Sequence, residues 1–564
     1  MKAQVGASSE LSLRSSMWFG LAAVCALGAC GGRPAYWDQG VPEFKSFGLA
    51  NGVVVIDEPD HRAVILTVGP GLDVRRTTMP IGHHFLNAAP SADGKTLYML
   101  SAGDWPRQTK DDEFPSLTRV SIVANGQTSS HRFQMSEPLS NLAVDKTGQY
   151  VVAFYGNATA TSAAVPFTQN PNELVIFDVS PAGEALPNNP VDYTLRSYGG
   201  APQRFTFTPP MSLPAGAPTG SPRRLLLVET TLDLSILDMS HVFDTNPRHE
   251  ITVPLSNGTS VQQLSPAGLA VDANDGFIAL RTTTDTNVYL LQLIAAKPGL
   301  ENDFNPSIDL IEVGGVPSDL AFVQTDAGLE LAALVPSKSD GVLIELSKNN
   351  FVTTPVAFSA AYSSLSIVTQ AVSAGAGMQA TTDTALLWDS TGGSSGVALW
   401  SLGTSGRTPY RSVEVLSVAN AVRAVDDVPF PNDRLKVLET ATTTSGGSFF
   451  VLDLAQQTAA PLLTTSNPTI SIAPDGGRVW DFAQGGTELA AIPLDAADSL
   501  NPIPLTTTRS IRAVYDVHAG SADSNSRALI ALHDADAYGL TVFDALAPDA
   551  AEARTYPALL LEGP

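Results

Sequence analysis

Leu86 to Ser101 reads LNAAPSADGKTLYMLS: a short apolar run, a Pro/Asp/Gly turn and a second apolar run. Asp and Gly supply the positive φ angles that tight hairpin turns need, so the stretch predicts two antiparallel strands joined at Asp93-Gly94. The pattern returns along the chain as LAVDKTGQYVVAFY (142–155), LAVDANDGFIAL (269–280), LAFVQTDAGLELAAL (320–334) and ISIAPDGGRVWDF (470–482). Weaker copies fall at Phe205-Val228, Leu365-Trp388, Val422-Leu438 and Ile511-Leu532.

Each hairpin is followed by a third apolar run. These are Leu117-Val123, Leu174-Val179, Leu234-Met239, Val288-Leu293, Val342-Leu346, Val397-Leu402, Phe449-Leu454, Leu489-Leu494 and Leu540-Leu546. Several continue into a poorer fourth strand, such as Glu250-Leu255 or Ser307-Val313. Markers in the first strands, from Asn87 to Ala513, recur at intervals of 42 to 64 residues. Beyond the N-terminal segment no run holds apolar residues at helical spacing. Four short strands per unit and no helices predict an all-β chain, a single β-propeller of about 7–9 four-stranded blades. The units around Thr206 and Ser366 read as insertions or distorted blades. Val53-Ile56 and Ala63-Val68 read as an extra strand pair that joins the last blade and fastens the ring.

The turns Ala473-Pro474-Asp475-Gly476 and Pro90-Ser91-Ala92-Asp93-Gly94 give the repeat its resemblance to the YVTN-type and lactonase-like (WD40-like) propellers, over roughly residues 50 to 555. At the N-terminus, Lys2 and Arg14 precede the apolar run Met17–Leu27, a signal peptide too short to span a bilayer. It ends in Leu27-Gly28-Ala29-Cys30, which resembles the lipobox of bacterial lipoproteins, with Gly28 the less usual small residue. The resemblance implies a lipoprotein signal peptide over 1–29 and a lipidated Cys30. A tether over 30–47 would then lead to a propeller over 48–564. By resemblance to enterobacterial lipoproteins, Gly31 rather than an Asp after the cysteine points to the outer membrane of the cell envelope.

Charge sets the partners. With 32 basic against 56 acidic residues the net charge is −24, and no basic cluster exceeds the pairs Arg75-Arg76 and Arg223-Arg224, which argues against nucleic acid. Both cysteines lie in the first 30 residues, so no disulfide staples the body. Gly392-Gly393-Ser394-Ser395-Gly396 fits a nucleophile elbow in letters only, because a strand rather than a helix follows it. Gly375-Ala376-Gly377 lacks the βαβ context of a dinucleotide site. The acidic turns Asp272–Gly276 and Asp534–Asp536 do not complete a calcium loop. The eight histidines show no paired ligand spacing, and no cofactor or metal is expected.

Two functions remain. A lipid-anchored ring can bind or scaffold a protein or glycan partner of the envelope, with the loop holding Trp105 and Lys110-Asp111-Asp112-Glu113 as an exposed contact. Alternatively, a lactonase-like hydrolase requires several of His83, His84, Asp319, Asp426 and Asp516 to converge in the channel.

Overall fold

A computed structural model describes residues 45–559 except 124, 157–169, 198–199, 218–221, 245–249, 256–263, 298–301, 326–327, 347–350, 375–377, 394–395, 403–420, 441–447, 457, 463, 465–467, 495–499, 521–525, 535–538 and 558. The signal peptide, Cys30, Ser394, Ser395 and the Gly375–Gly377 motif therefore lie outside the described residues, as do Ala535 and Asp536.

The repeating hairpin forms for the reason its sequence gives. Gly94 takes φ +65°, while the Ser91 hydroxyl donates to Asp93 Oδ1 at 2.6 Å and accepts the Thr96 amide at 3.1 Å. In the later copy Gly476 takes φ +66° and Asp475 Oδ1 accepts the Gly477 amide at 2.9 Å. The side chain thus bonds the turn backbone that the ladder cannot reach.

Strands follow one another in antiparallel order to make ten sheets among the described residues, over 45–80, 85–134, 141–194, 202–254, 266–312, 319–357, 364–401, 422–461, 468–506 and 511–556. Nine have four strands; the sheet over 364–401 has three among the described residues. All nine hairpins read from the sequence are present, and the unit holding Thr206 is a complete four-stranded blade.

The ring therefore holds one blade more than the upper expectation. Val53-Ile56 and Ala63-Val68 do not join the last blade. They are the centre of a blade of their own, flanked by Lys45–Leu49 and Val74–Pro80. Its first strand starts inside the stretch read as tether.

Period-two alternation builds the ring. In Gly52–Asp57, Val53 and Val55 pack with Ile530, Leu532 and Val542 of the last blade, while Val54 and Ile56 pack with Leu97, Met99 and Val120 of the second. Eight further cores fill the remaining junctions between consecutive blades, so each sheet is covered on both faces. Each fully buried Val, Leu or Ile contributes about 1.5–3 kcal/mol. Closure needs no shared strand. The His518 amide donates to Ala50 O at 2.8 Å, the Gly520 amide to Val68 O at 2.9 Å and the Tyr515 hydroxyl to Ser46 O at 2.9 Å. Arg554 pairs with Asp73 across the same seam.

First strands of neighbouring blades lie against one another, which makes them the innermost. The start of each first strand pairs with the end of the second, so the second-to-third-strand loops and the crossovers between blades share one face of the ring. No helix of the described residues is long and apolar enough to cross a membrane.

Candidate functional site

The four-residue crossover from the first blade to the second runs Ile81-Gly82-His83-His84. Ile81 is buried, and Gly82 lies directly on the second blade: a Cβ there would stand 2.5 Å from both Ser101 Cβ and Ser116 Oγ. That close approach brings the next two carbonyls against the loop 102–115. His84 O accepts the Ala102 amide at 2.9 Å and His83 O the Gly103 amide at 3.0 Å. His84 is held at φ +54°.

Around His83 the polar groups interlock. Its Nδ1 stands 2.9 Å from Asp104 Oδ1, and its backbone amide donates to Glu113 Oε2 at 2.6 Å. Asp104 Oδ2 accepts the Glu113 amide at 2.7 Å, and Arg132 pairs with Glu113. The Glu113 amide and the His83 ring together hold the Asp104 carboxyl below its usual range. A carboxylate on Nδ1 fixes a proton there, so in the neutral ring Nε2 is an acceptor and in the charged ring a donor.

His61, in the turn between the second and third strands of the first blade, joins this pair. Its ring centroid is 4.1 Å from that of His83 and 6.1 Å from that of His84. Burial, then the neighbouring imidazoles, push its pKa down, and its Nδ1 is buried without a hydrogen-bond partner. Both causes disfavour the charged form of His61.

The loop 102–115 is braced from within. Arg107 stacks on the Phe114 ring at 3.6 Å, and its Nε donates to Asp112 O at 2.9 Å. Asp112 Oδ2 accepts the amides of Gln108 at 2.6 Å and Thr109 at 2.9 Å. The Thr109 hydroxyl and those amides pull its carboxyl down to about 2. Held on this frame, Trp105 and Phe114 are 37% and 38% exposed.

The five residues of the hydrolase reading do not gather. Asp319 accepts the amides of Leu320 and Leu365, both at 2.9 Å, and faces Arg281. Asp426 stands beside Asp427 on a first strand two blades further on. Asp516 accepts Trp480 Nε1 at 2.9 Å and Arg527 Nε at 2.7 Å. Asp319 and Asp516 are claimed by partners in their own or adjacent blades, and His83 takes Asp104 and Glu113 instead. Sequence reading passed over Asp104; the signal was an acidic residue immediately before an exposed tryptophan.

Other histidines serve locally. His533 Nε2 lies 2.9 Å from the Thr541 hydroxyl, and His241 pairs with Asp244 at 2.7 Å. Among the described residues no three His, Cys, Asp or Glu side chains form a group able to hold a metal ion.

No family model matches the chain, and no curated protein matches it. Several solved structures resemble it. Dihydro-heme d1 dehydrogenase NirN is 13% identical with a TM-score of 0.36, over 76% of this chain and 76% of that one. The hydrazine synthase of Kuenenia stuttgartiensis is 13% identical with a TM-score of 0.30, over 59% and 94%. A eukaryotic initiation factor is 10% identical with a TM-score of 0.39, over 92% and 96%. At these scores the likenesses add nothing to the architecture described above.

Proposed function

We propose that this chain is a lipid-anchored β-propeller of the bacterial cell envelope, in the outer membrane, that binds a protein or glycan partner through the ring face carrying loop 102–115. One observation carries the reading: a long surface loop, internally braced and tied to the neighbouring crossover, holds two large aromatic side chains at the solvent boundary. Aromatic anchors on a rigid frame lose little entropy on binding. Lys45 opens the first strand opposite Ile56, beside the turn that holds His61, so the described chain enters the ring on this same face.

In-cell cross-linking and capture of the tagged protein, beside a Cys30→Ala form, tests the proposal. A stoichiometric partner recovered only with the anchored form supports it. Recovery of the protein alone from both forms overturns it.

The hydrolase reading has one observation in its favour, the Asp104-oriented imidazole of His83, which is the arrangement of a general base. Lactone and ester hydrolysis that disappears in His83→Gln would establish it.

A further inference from the structure

We propose that Trp105, with His83 and Asp104 beside it, is a subsite for a neutral oligosaccharide whose rings carry equatorial hydroxyls. This deepens the binding role proposed above and rests on it.

A pyranose with equatorial hydroxyls presents a flat C–H face and a rim of hydroxyls. Recognition of such a ring needs an exposed aromatic plate and fixed acceptors at the plate's edge. Trp105 supplies the plate, carried by a loop whose backbone is tied at Asp104, Glu113 and Asp112. His83 and Asp104 are the neighbouring polar groups: Asp104 directly precedes Trp105, their side chains are 38% and 33% exposed, and their mutual hydrogen bond orients both. With Nδ1 donating to Asp104, His83 Nε2 accepts a sugar hydroxyl in the neutral ring and donates to one in the charged ring. Each Asp104 oxygen, having accepted one bond, keeps a second lone pair for another.

Charge selects among ligands. The whole chain carries −24, which disfavours polyanions. The carboxylates at the site are already engaged, Glu113 by Arg132 and Asp112 by the amides of Gln108 and Thr109. What faces the ligand is a set of oriented acceptors rather than an open anionic patch, and this favours neutral hydroxyls over a cationic peptide.

The test is titration calorimetry of the mature, detergent-solubilised protein with cellohexaose, chitohexaose and hexalysine as probes. Binding of at least one saccharide is expected. Trp105→Ala should weaken it about tenfold or more, while Trp105→Tyr, which keeps a ring, retains most of it. His83→Ala should give an intermediate loss. Phe430→Ala is the control: among the described residues Phe430 is the most exposed large apolar side chain, and it lies in a first-to-second-strand turn, on the opposite face. An unaltered melting temperature in each variant keeps folding out of the comparison. The proposal is overturned if the wild type binds neither saccharide, if Trp105→Ala binds as well as wild type, or if hexalysine binds more tightly than either sugar. A partner captured in cells equally by wild type and Trp105→Ala would also overturn the sugar subsite, while leaving the anchored binding role standing.

Discussion

Glu137 sits in the crossover between the second and third blades, where burial and then the hydrogen-bonded carboxyl of Glu173 raise its pKa to about 7. Its Oε2 accepts the Tyr155 hydroxyl at 2.7 Å. A raised folded-state pKa means the folded protein holds the proton more tightly than the unfolded chain. The stabilisation is complete below the ordinary Glu range of about 4.3 and is lost as pH climbs through 7. Glu137→Gln, which cannot ionise, should therefore melt higher than wild type at pH 8 and close to it at pH 5. Melting curves across that range check the sign.

Asp516 tests a different balance. Both it and Arg527 are almost wholly buried, and the pair is completed by the Trp480 indole from the preceding blade. Arg527→Met removes the cation bonded to this buried carboxylate. Breaking a buried pair from one side costs about 3–5 kcal/mol, which urea unfolding would register as a large fall in midpoint.

Hairpins are the element whose chemistry was most legible. Asp-Gly between two apolar runs forces the turn locally, whatever surrounds it, so the strand pairs from Leu86 onward could be placed without a structure. The first blade escaped because its inner turn is Ala50-Asn51, with no glycine at a positive φ. Tertiary bonds hold that turn: the Ala50 amide donates to Gly94 O at 2.6 Å, and Asn51 Nδ2 donates to Ile122 O at 2.7 Å, both acceptors lying in the second blade.

The histidine site was half visible for the same reason. His83-His84 and the Trp105 loop each stood out. Their meeting depends on a crossover pressed onto the blade through Gly82, and no local spacing encodes that contact. Glycines make the contrast measurable. Gly485 takes φ +78° with open space around it, whereas a Cβ on Gly476 would stand 2.2 Å from Pro429 O as well as at φ +66°. Gly485→Ala should cost about 1–2 kcal/mol of left-handed strain. Gly476→Ala should cost about 1–3 kcal/mol more from the clash. Denaturant melts of the two variants measure the difference.

The whole molecule is a chain of ten interfaces with no privileged one, since the junction between last and first blades buries the same kind of core as the others. Deleting the last blade, from 508 onward, would bare Val53, Val55, Val64 and Leu66 on one side of the break. It would also bare Trp480, Leu489 and Leu505 on the other. Such a form should aggregate or self-associate, as sizing chromatography would show, because large apolar surfaces seek partners.

Every blade is contiguous in sequence, and the ring is sealed by side chains and a few backbone bonds rather than by a strand borrowed from the far end. The place where the polypeptide starts is thus topologically arbitrary. A circular permutant that begins at Asp319 and ends at Glu312, with a short linker joining 556 to 45, would break no sheet. It should recover the same ring from a rearranged gene.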